Sequence, residues 1–281
     1  MPRYATIDVG TNSVLLLVAD RLPDGRFQAV QERAEITRLG RGVDKSRRLS
    51  PEGLEATLQV LSGFASEARR LGAEAIAVSA TSAARDAENG AEFLTGARER
   101  AGVTVDIISG ELEAQLSFTS AWADFGRESS APLVVIDIGG GSTEFIYGDA
   151  RGRVAFRHSF DVGAVRMTER YVQSDPMSAE DRARVESHLR ETFSKLPPCP
   201  PGAVLVGIAG TVTTLFTVRH AIDPYDAARV QGGTLTLAEL EALADRMCHL
   251  PLAERQKLPG LQPKRADVIP AGALILLESL R

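Results

Sequence analysis

Two short runs in this chain carry the residue types that handle phosphate and a hard cation. Asp137-Ile-Gly-Gly-Gly-Ser-Thr-Glu144 sets one acid ahead of three successive glycines and a second acid behind two hydroxyls. Glycines at Gly139, Gly140 and Gly141 allow the backbone to come close to a ligand, with amide N–H groups aimed at phosphate oxygens. Asp8-Val-Gly-Thr-Asn-Ser13 is a less glycine-rich counterpart. Asp8 and Asp137 both end strand-like runs, so they are expected to face each other across a cleft. Facing carboxylates there suit Mg²⁺, which prefers one or two carboxylates plus waters and phosphate oxygens over an all-protein cage. The plainer reading of either run alone is a glycine-rich hairpin turn with a structural aspartate. Their repetition argues against it.

Three further stretches bear on the same chemistry. Gly207-Ile-Ala-Gly-Thr-Val-Thr213 is a small-residue turn after a strand, suited to phosphate or to the flat face of a base, or else a tight packing turn. Ser79-Ala-Thr-Ser-Ala-Ala-Arg85-Asp86 adds hydroxyls and a guanidinium able to grip phosphate with two parallel hydrogen bonds, unless Arg85 is an ordinary surface arginine. Ser109-Gly-Glu-Leu-Glu-Ala114 opens a helix, where acids are ordinary because they complement the positive end of the helix dipole. That explains Glu111. Between Glu113 and Glu144 the residues alone do not decide which activates water. The run from Arg33 to Arg48 is locally basic and could steer a polyanion, though a solvated loop is the commoner origin of such a run. The four histidines show no ligand spacing, and no serine sits in a nucleophile elbow.

The elements that must position these residues read as a duplication. Ile7 to Ser13 aligns without a gap on Ile136 to Ser142 at an offset of 129, and Ala77 to Ser82 matches Gly207 to Val212 at 130. Tyr4 to Val9, Val14 to Ala19 and Arg26 to Ala34 read as strands with Pro23-Asp24-Gly25 as a hairpin turn; Leu133 to Asp137, Thr143 to Tyr147 and Val154 to Phe160 repeat them. Ala75 to Ser79 and Ala203 to Ile208 give each half a further strand. Helices open at Ser50-Pro51-Glu52, with Leu54, Leu58, Leu61, Ala65 and Ala68 on one face, and at Ser178 and Thr236 in capping style. The expectation is an α/β chain of two units, 1–125 and 132–281, joined by the polar segment 126–132, with the ligand between them.

Composition agrees. The chain's 281 residues suggest about two domains, and 44% hydrophobic content fills a core in each. A net charge of −5 offers no global positive field for a nucleic acid. Two cysteines make no disulfide scaffold, no apolar run approaches the ~20 residues of a membrane helix, and the start resembles no secretory leader. A cytoplasmic protein without membrane contact is expected.

Taken in order, IDVGTNS, TRLGRGV, SATSAARDAEN, ISGELEA, VIDIGGGSTEF, GIAGTVTT and KRADVIPAGALIL resemble the exopolyphosphatase/guanosine pentaphosphate phosphohydrolase family, from Tyr4 to about Leu277. The resemblance implies two ribonuclease-H-like domains of the actin-like ATPase superfamily flanking a cleft. It implies Mg²⁺-dependent removal of the terminal phosphate of inorganic polyphosphate, with guanosine pentaphosphate as the alternative substrate. A non-catalytic polyphosphate or guanosine tetraphosphate sensor is a third reading, and a homodimer would be ordinary. By resemblance, Glu113 is the base that activates water and Glu144 a second essential acid near the metal. Asp8 and Asp137 hold Mg²⁺ with Glu144. Asn12, Ser13, Arg85, Gly139, Gly140, Gly141, Ser142, Thr143, Gly210 and Thr211 contact substrate. Departures are Leu15, where many members have a basic residue, Ala209 in place of a usual glycine, and an end at Arg281 inside a helical pattern, short of the family's last segment.

Overall fold

The structure, a computed structural model, describes residues 1–126 and 129–281. The expected linker at 126–132 therefore falls partly outside the described residues, at Arg127 and Glu128. The chain divides into two compact units, Met1–Ser109 and Gly110–Arg281.

In the first unit, β1 (Arg3–Val9), β2 (Ser13–Arg21) and β3 (Phe27–Ile36) form an antiparallel meander, and β4 (Ala75–Ala80) and the short β5 (Asp106–Ile107) add in parallel, giving the order β3-β2-β1-β4-β5. The β2–β3 turn closes at Gly25, whose φ of +84° needs a residue without a Cβ. The helices are α1 (Val43–Ser46), α2 (Pro51–Arg70), α3 (Ser82–Asp86) and α4 (Gly90–Gly96). Ser50 caps α2 by accepting from the Gly53 N–H at 3.1 Å. As the 3.6-residue spacing requires, Leu58, Leu61, Ala65 and Ala68 of α2 lie in the core with Ile7, Val9, Leu16 and Val18, and Leu54 packs at its margin.

In the second unit, β6 (Leu133–Ile138), β7 (Thr143–Gly148) and β8 (Val154–Phe160) repeat the meander and β9 (Val204–Ile208) joins β6 in parallel, giving β8-β7-β6-β9. Its helices are α5 (Gly110–Ala121), α6 (Ala164–Tyr171), α7 (Ala179–Phe193), α8 (Ala209–His220), α9 (Ala227–Val230), α10 (Leu237–His249), α11 (Leu252–Arg255) and α12 (Ile269–Ser279). Ser178 caps α7, and Thr236 with Glu239 forms a complete capping box on α10. The helical pattern near the end closes at Ser279, with Leu280 as its C-cap.

The two sheets superpose in register. Asp8 pairs with Leu15 and Asp137 with Glu144, and the irregularity at Val18/Ala19 recurs at Tyr147/Gly148, each at an offset of 129. Tyr4 opposite Ala75 and Leu133 opposite Val204 hold that offset into the fourth strand, so the second match sits at 129, not 130. The letters at 77–82 and 207–212 align one residue out because small residues recur on both sides of the strand end.

The largest departure from expectation concerns α5. The sequence places the segment at 109–114 at the close of the first unit, whereas α5 belongs to the second. Its Ala114, Phe118 and Ala121 pack on Leu133, Val135 and Ile146, which share one face of the second sheet. Phe118 lies where Gly148 has no side chain, for a Cβ there would come within 2.2 Å of the ring, and the ring stacks on Trp122 at 6.0 Å between centroids. Phe118→Ala should therefore destabilise the second unit by about 3–5 kcal/mol, read as a lowered urea midpoint of its unfolding transition, with the first unit's transition unmoved.

Candidate functional site

Strand register puts the acids together. Asp137 and Glu144 are direct cross-strand partners on β6 and β7, and Ser159 of β8 stands opposite Glu144. The face they share is the one α5 covers. Ser117 of α5 donates to Asp137 Oδ2 at 2.6 Å, and Ser159 donates to Glu144 Oε1 at 2.6 Å. Glu113 lies one helical turn before Ser117 and so faces the same way. Its charge acts on Glu144.

The start of α5 can lie this close to β8 because residue 110 is glycine: a Cβ there would come within 2.6 Å of the Ser159 side chain. Arg157 of β8 also donates to Gln115 Oε1 at 3.1 Å.

The electrostatics are those of crowded acids. Glu144 is almost wholly buried, and loss of hydration, followed by the charges of Asp137 and Glu113, holds its carboxyl well above the ordinary range, against the hydrogen bonds from Ser159 and Ser142. Burial also raises Asp137, against the bond from Ser117. Neither shift has a cation among its causes.

The glycine loop beside them is fixed by its carbonyls. Gly139 O accepts from Ala164 N, Gly140 O from Val165 N and Arg166 N, and Gly141 O from Arg166 Nε, at 2.7–3.1 Å. A trans peptide points its N–H opposite to its C=O. The amides of Gly140 and Gly141 therefore face away from α6, and neither takes a partner among the described residues. Gly163 permits this seating, because a Cβ there would lie 2.3 Å from Gly140 O. Ser142 is buried behind the loop. Thr143 is fully buried, and its hydroxyl donates to Val162 O at 2.6 Å, tying the end of the loop to the strand end beside it.

In the first unit Asp8 takes the place of Asp137, and Ser79 of β4 donates to its Oδ1 at 3.0 Å. The loop at 10–13 repeats the Gly139–Ser142 turn, with Gly10 N donating to Ser13 O at 2.9 Å as Gly139 N does to Ser142 O at 3.0 Å. Asn12 is buried and its carbonyl accepts from Thr37 and Arg38, while Thr11 bonds Ser82 at 2.7 Å and takes Gly40 N on its carbonyl. The stretch 37–40 thus clamps the first loop. Ser13 is half-buried at the start of β2. Arg85 is tied by Nη1 to Ile108 O at 2.9 Å, bracing the end of β5. Within the basic run, Arg33 pairs with Glu35 and Glu67, and Arg48 with Glu92.

The third loop holds a residue that sequence reasoning missed. Ala209, in the left-handed region at φ 67°, opens α8, and Gly210 follows beneath the Arg265 guanidinium, which a Cβ would meet at 2.2 Å. Arg265 has no ion-pair partner among the described residues, and burial pushes its pKa down. A desolvated cation without a counter-charge is a ready contact for an anion. The signal was present in KRADVIPAG, but spacing alone did not separate Arg265 from Lys264. Thr211 is buried against Gly272.

Among the described residues, no group of three His, Cys, Asp or Glu side chains could hold a metal as a closed cage. The second unit does offer paired carboxylates flanked by hydroxyls, all oxygen donors, with uncompensated acid charge. That set fits Mg²⁺, which keeps much of its water and needs one or two carboxylates. Among the described residues no helix is long and apolar enough to cross a membrane.

The model of the Ppx/GppA phosphatase family matches residues 18–281. The chain belongs to this family. It is 35% identical over 292 residues to exopolyphosphatase 2 of Mycobacterium tuberculosis, spanning 100% of this chain and 91% of that protein. The crystal structure of the Aquifex aeolicus Ppx/GppA family member matches with a TM-score of 0.80 at 32% identity, covering 99% of this chain and 90% of that one. An exopolyphosphatase-like protein of known structure matches with a TM-score of 0.89 at 31% identity, over 99% and 88% of the two chains. The α/β architecture with two mixed sheets is thus that of the Ppx/GppA phosphatases.

A carboxyl whose native pKa is raised opposes folding once it ionises. The cost is absent below its unfolded value and grows as pH rises toward the native one. Glu144→Gln should therefore stabilise the cation-free protein at pH 7–8, with the gain disappearing near pH 4. Urea unfolding in chelator across that range checks it, and a gain that persists at pH 4 would contradict burial and like charge as its source.

Proposed function

We propose that this chain is an exopolyphosphatase that hydrolyses the terminal phosphoanhydride bond of inorganic polyphosphate with Mg²⁺. The observation that carries the reading is the adjacency, within one unit, of three carboxylates to a glycine loop whose amides at Gly140 and Gly141 are turned outward. The family, and a relative named exopolyphosphatase 2, support it.

Asp137 and Glu144 would hold the cation, which when bound offsets their charge and screens the phosphate oxygens. Both carboxyls already sit in fixed orientations, set by Ser117 and Ser159. The Gly140 and Gly141 amides donate to the terminal phosphoryl oxygens. Such preorganised donors are worth about 3 kcal/mol each where negative charge develops. Glu113, half-buried on the first turn of α5, accepts a proton from the attacking water and aligns it with the scissile bond. Arg265 against Gly210 supplies a further cationic contact for an anionic substrate. The protein is expected to act in the cytoplasm on a free polyanion, without nucleic acid or membrane.

Phosphate release from long-chain polyphosphate with Mg²⁺ is the direct assay, run beside guanosine pentaphosphate. Faster release from polyphosphate is expected; binding of either compound without release would make the protein a sensor. In the same assay Glu113→Gln should lower kcat about 10²- to 10⁴-fold while polyphosphate affinity changes only a few-fold. An unaltered kcat would remove Glu113 from the role of base.

A further inference from the structure

The loop at Gly139–Ser142 is held from behind by two kinds of donor. Ala164, Val165 and Arg166 give main-chain N–H groups to Gly139 O and Gly140 O at 2.9–3.1 Å. The next carbonyl, Gly141 O, is taken by a side chain instead, Arg166 Nε at 2.7 Å. Arg166 is buried, and its Nη2 lies 4.0 Å from the exposed carboxylate of Asp161.

The first repeat shows that such a loop can be held without a guanidinium. Asn12 stands 129 positions before Gly141. Its carbonyl accepts from the main-chain N–H groups of Thr37 and Arg38 at 3.1 and 3.0 Å, while Gly40 N donates to Thr11 O at 2.8 Å. The second repeat thus buries a cation where backbone amides suffice in the first. Burying a guanidinium costs free energy that an amide N–H does not, so its place behind the loop calls for an effect beyond anchoring. That effect falls on the peptide joining Gly141 to Ser142. Because a trans peptide points its N–H opposite to its C=O, the bond to Arg166 turns the Ser142 amide outward, away from α6 like those of Gly140 and Gly141. The Ser142 amide takes no partner among the described residues. A charged donor on the carbonyl also polarises the peptide and strengthens its N–H as a donor.

We propose that Arg166 is a positioning residue for the hydrolysis. It holds and polarises the Gly141–Ser142 peptide so that the Ser142 amide becomes a third donor to the phosphoryl oxygens on which negative charge develops. The guanidinium acts through the loop and not on the substrate. This role rests on the exopolyphosphatase reading above and extends it, giving the loop three outward amides and a cation that tunes the third.

The test compares phosphate release from long-chain polyphosphate with Mg²⁺ by the full chain, by Arg166→Met and by Arg166→Lys, with the urea midpoint of the second unit measured for each. Outright loss of one preorganised donor costs about 10²- to 10³-fold in kcat, and Arg166→Met keeps the Ser142 N–H but frees it, so a fall of about 10- to 100-fold is expected with KM changed only a few-fold. Arg166→Lys, which returns a cation to the loop carbonyl, should recover part of that loss. A side chain that only braced the fold would lower the urea midpoint and leave the kcat of the folded protein unmoved. A second measurement needs neither turnover nor a change at Arg166. In ¹⁵N-labelled Glu113→Gln, Mg²⁺ with tripolyphosphate should move the Ser142 amide proton resonance downfield together with those of Gly140 and Gly141. Unaltered kcat in folded Arg166→Met, or a Ser142 resonance that stays in place while the two glycine resonances move, would overturn this role and leave the exopolyphosphatase reading standing. Absence of phosphate release from the unaltered chain would remove that reading, and the role of Arg166 with it.

Discussion

Two carboxylates side by side under a helix are unfavourable by themselves, and the second unit is arranged around keeping them there. Asp137 and Glu144 cannot separate, because the β6–β7 register fixes them as cross-strand neighbours. Solvation relieves Glu144 little, because α5 is anchored over it by Phe118 between Gly148 and Trp122. A neutral aromatic anchor therefore maintains a strained electrostatic arrangement. Packing interactions of several kcal/mol hold an arrangement that the acids alone would abandon. Strain of this kind, held by surrounding structure, is what a site for a cation or a proton transfer requires.

The two halves show how a duplicated sheet diverges. The turn between the first two strands, the strand aspartate and the irregularity in the meander all persist at one offset, whereas the serine bonded to the aspartate comes from β4 in the first unit and from α5 in the second. What changed is the partner of the strand aspartate. Glu144 makes the second sheet an acidic pair, whereas Leu15 leaves Asp8 as a single acid beside an apolar neighbour. The cover over each face followed suit: the sheet with the acid pair is closed by α5 and the sheet with the leucine is open. Desolvation of acids needs a lid, and a lone aspartate bonded to a serine does not.

Much of this was legible in the residues. Alternating and continuous apolar runs gave the strands to within two residues at most ends, and the capping signals at Ser50, Ser178 and Thr236 lie where the helices open. The α/β class and the doubled meander followed from the repeated IDxG motif. The partnership of Glu113 with Asp137 and Glu144 was implied only by the family resemblance, because it depends on which sheet α5 covers, and a helix between two similar sheets carries no local mark of its choice. The decisive features are side-chain absences, Gly110 against Ser159 and Gly148 against Phe118, which look in sequence like any other glycines. The inward turn of the Thr143 hydroxyl was not legible for a related reason. A hydroxyl after a glycine loop suits a phosphate, but strand alternation turns this one inward to the Val162 carbonyl. Arg265 went unnoticed because its distinguishing property is partial desolvation without an acid beside it, and desolvation is a property of the fold.

The choice of serine as the partner of Asp137, Glu144 and Asp8 is itself informative. An arginine in any of these places would neutralise the acid, lower its pKa and stabilise the empty protein. It would also cancel the negative potential that draws a hard cation, and its fork would occupy both carboxylate oxygens. A serine hydroxyl donates one hydrogen bond, fixes the carboxyl's orientation and leaves the second oxygen and the charge available. Ser117, Ser159 and Ser79 come from three different elements, a helix and two strands, yet bond at 2.6, 2.6 and 3.0 Å to the acid each faces. At Asp137 and Glu144 these hydroxyls orient the carboxyls without neutralising them. The same logic separates these acids from Asp20, paired with Arg3 across the open end of the β1–β2 pair, and Asp149, paired with Arg153 at the β7–β8 turn, both of which sit below the ordinary carboxylate range. Arg3 and Arg153 thus neutralise Asp20 and Asp149, whereas Ser117 and Ser159 orient Asp137 and Glu144 and leave their charge in place.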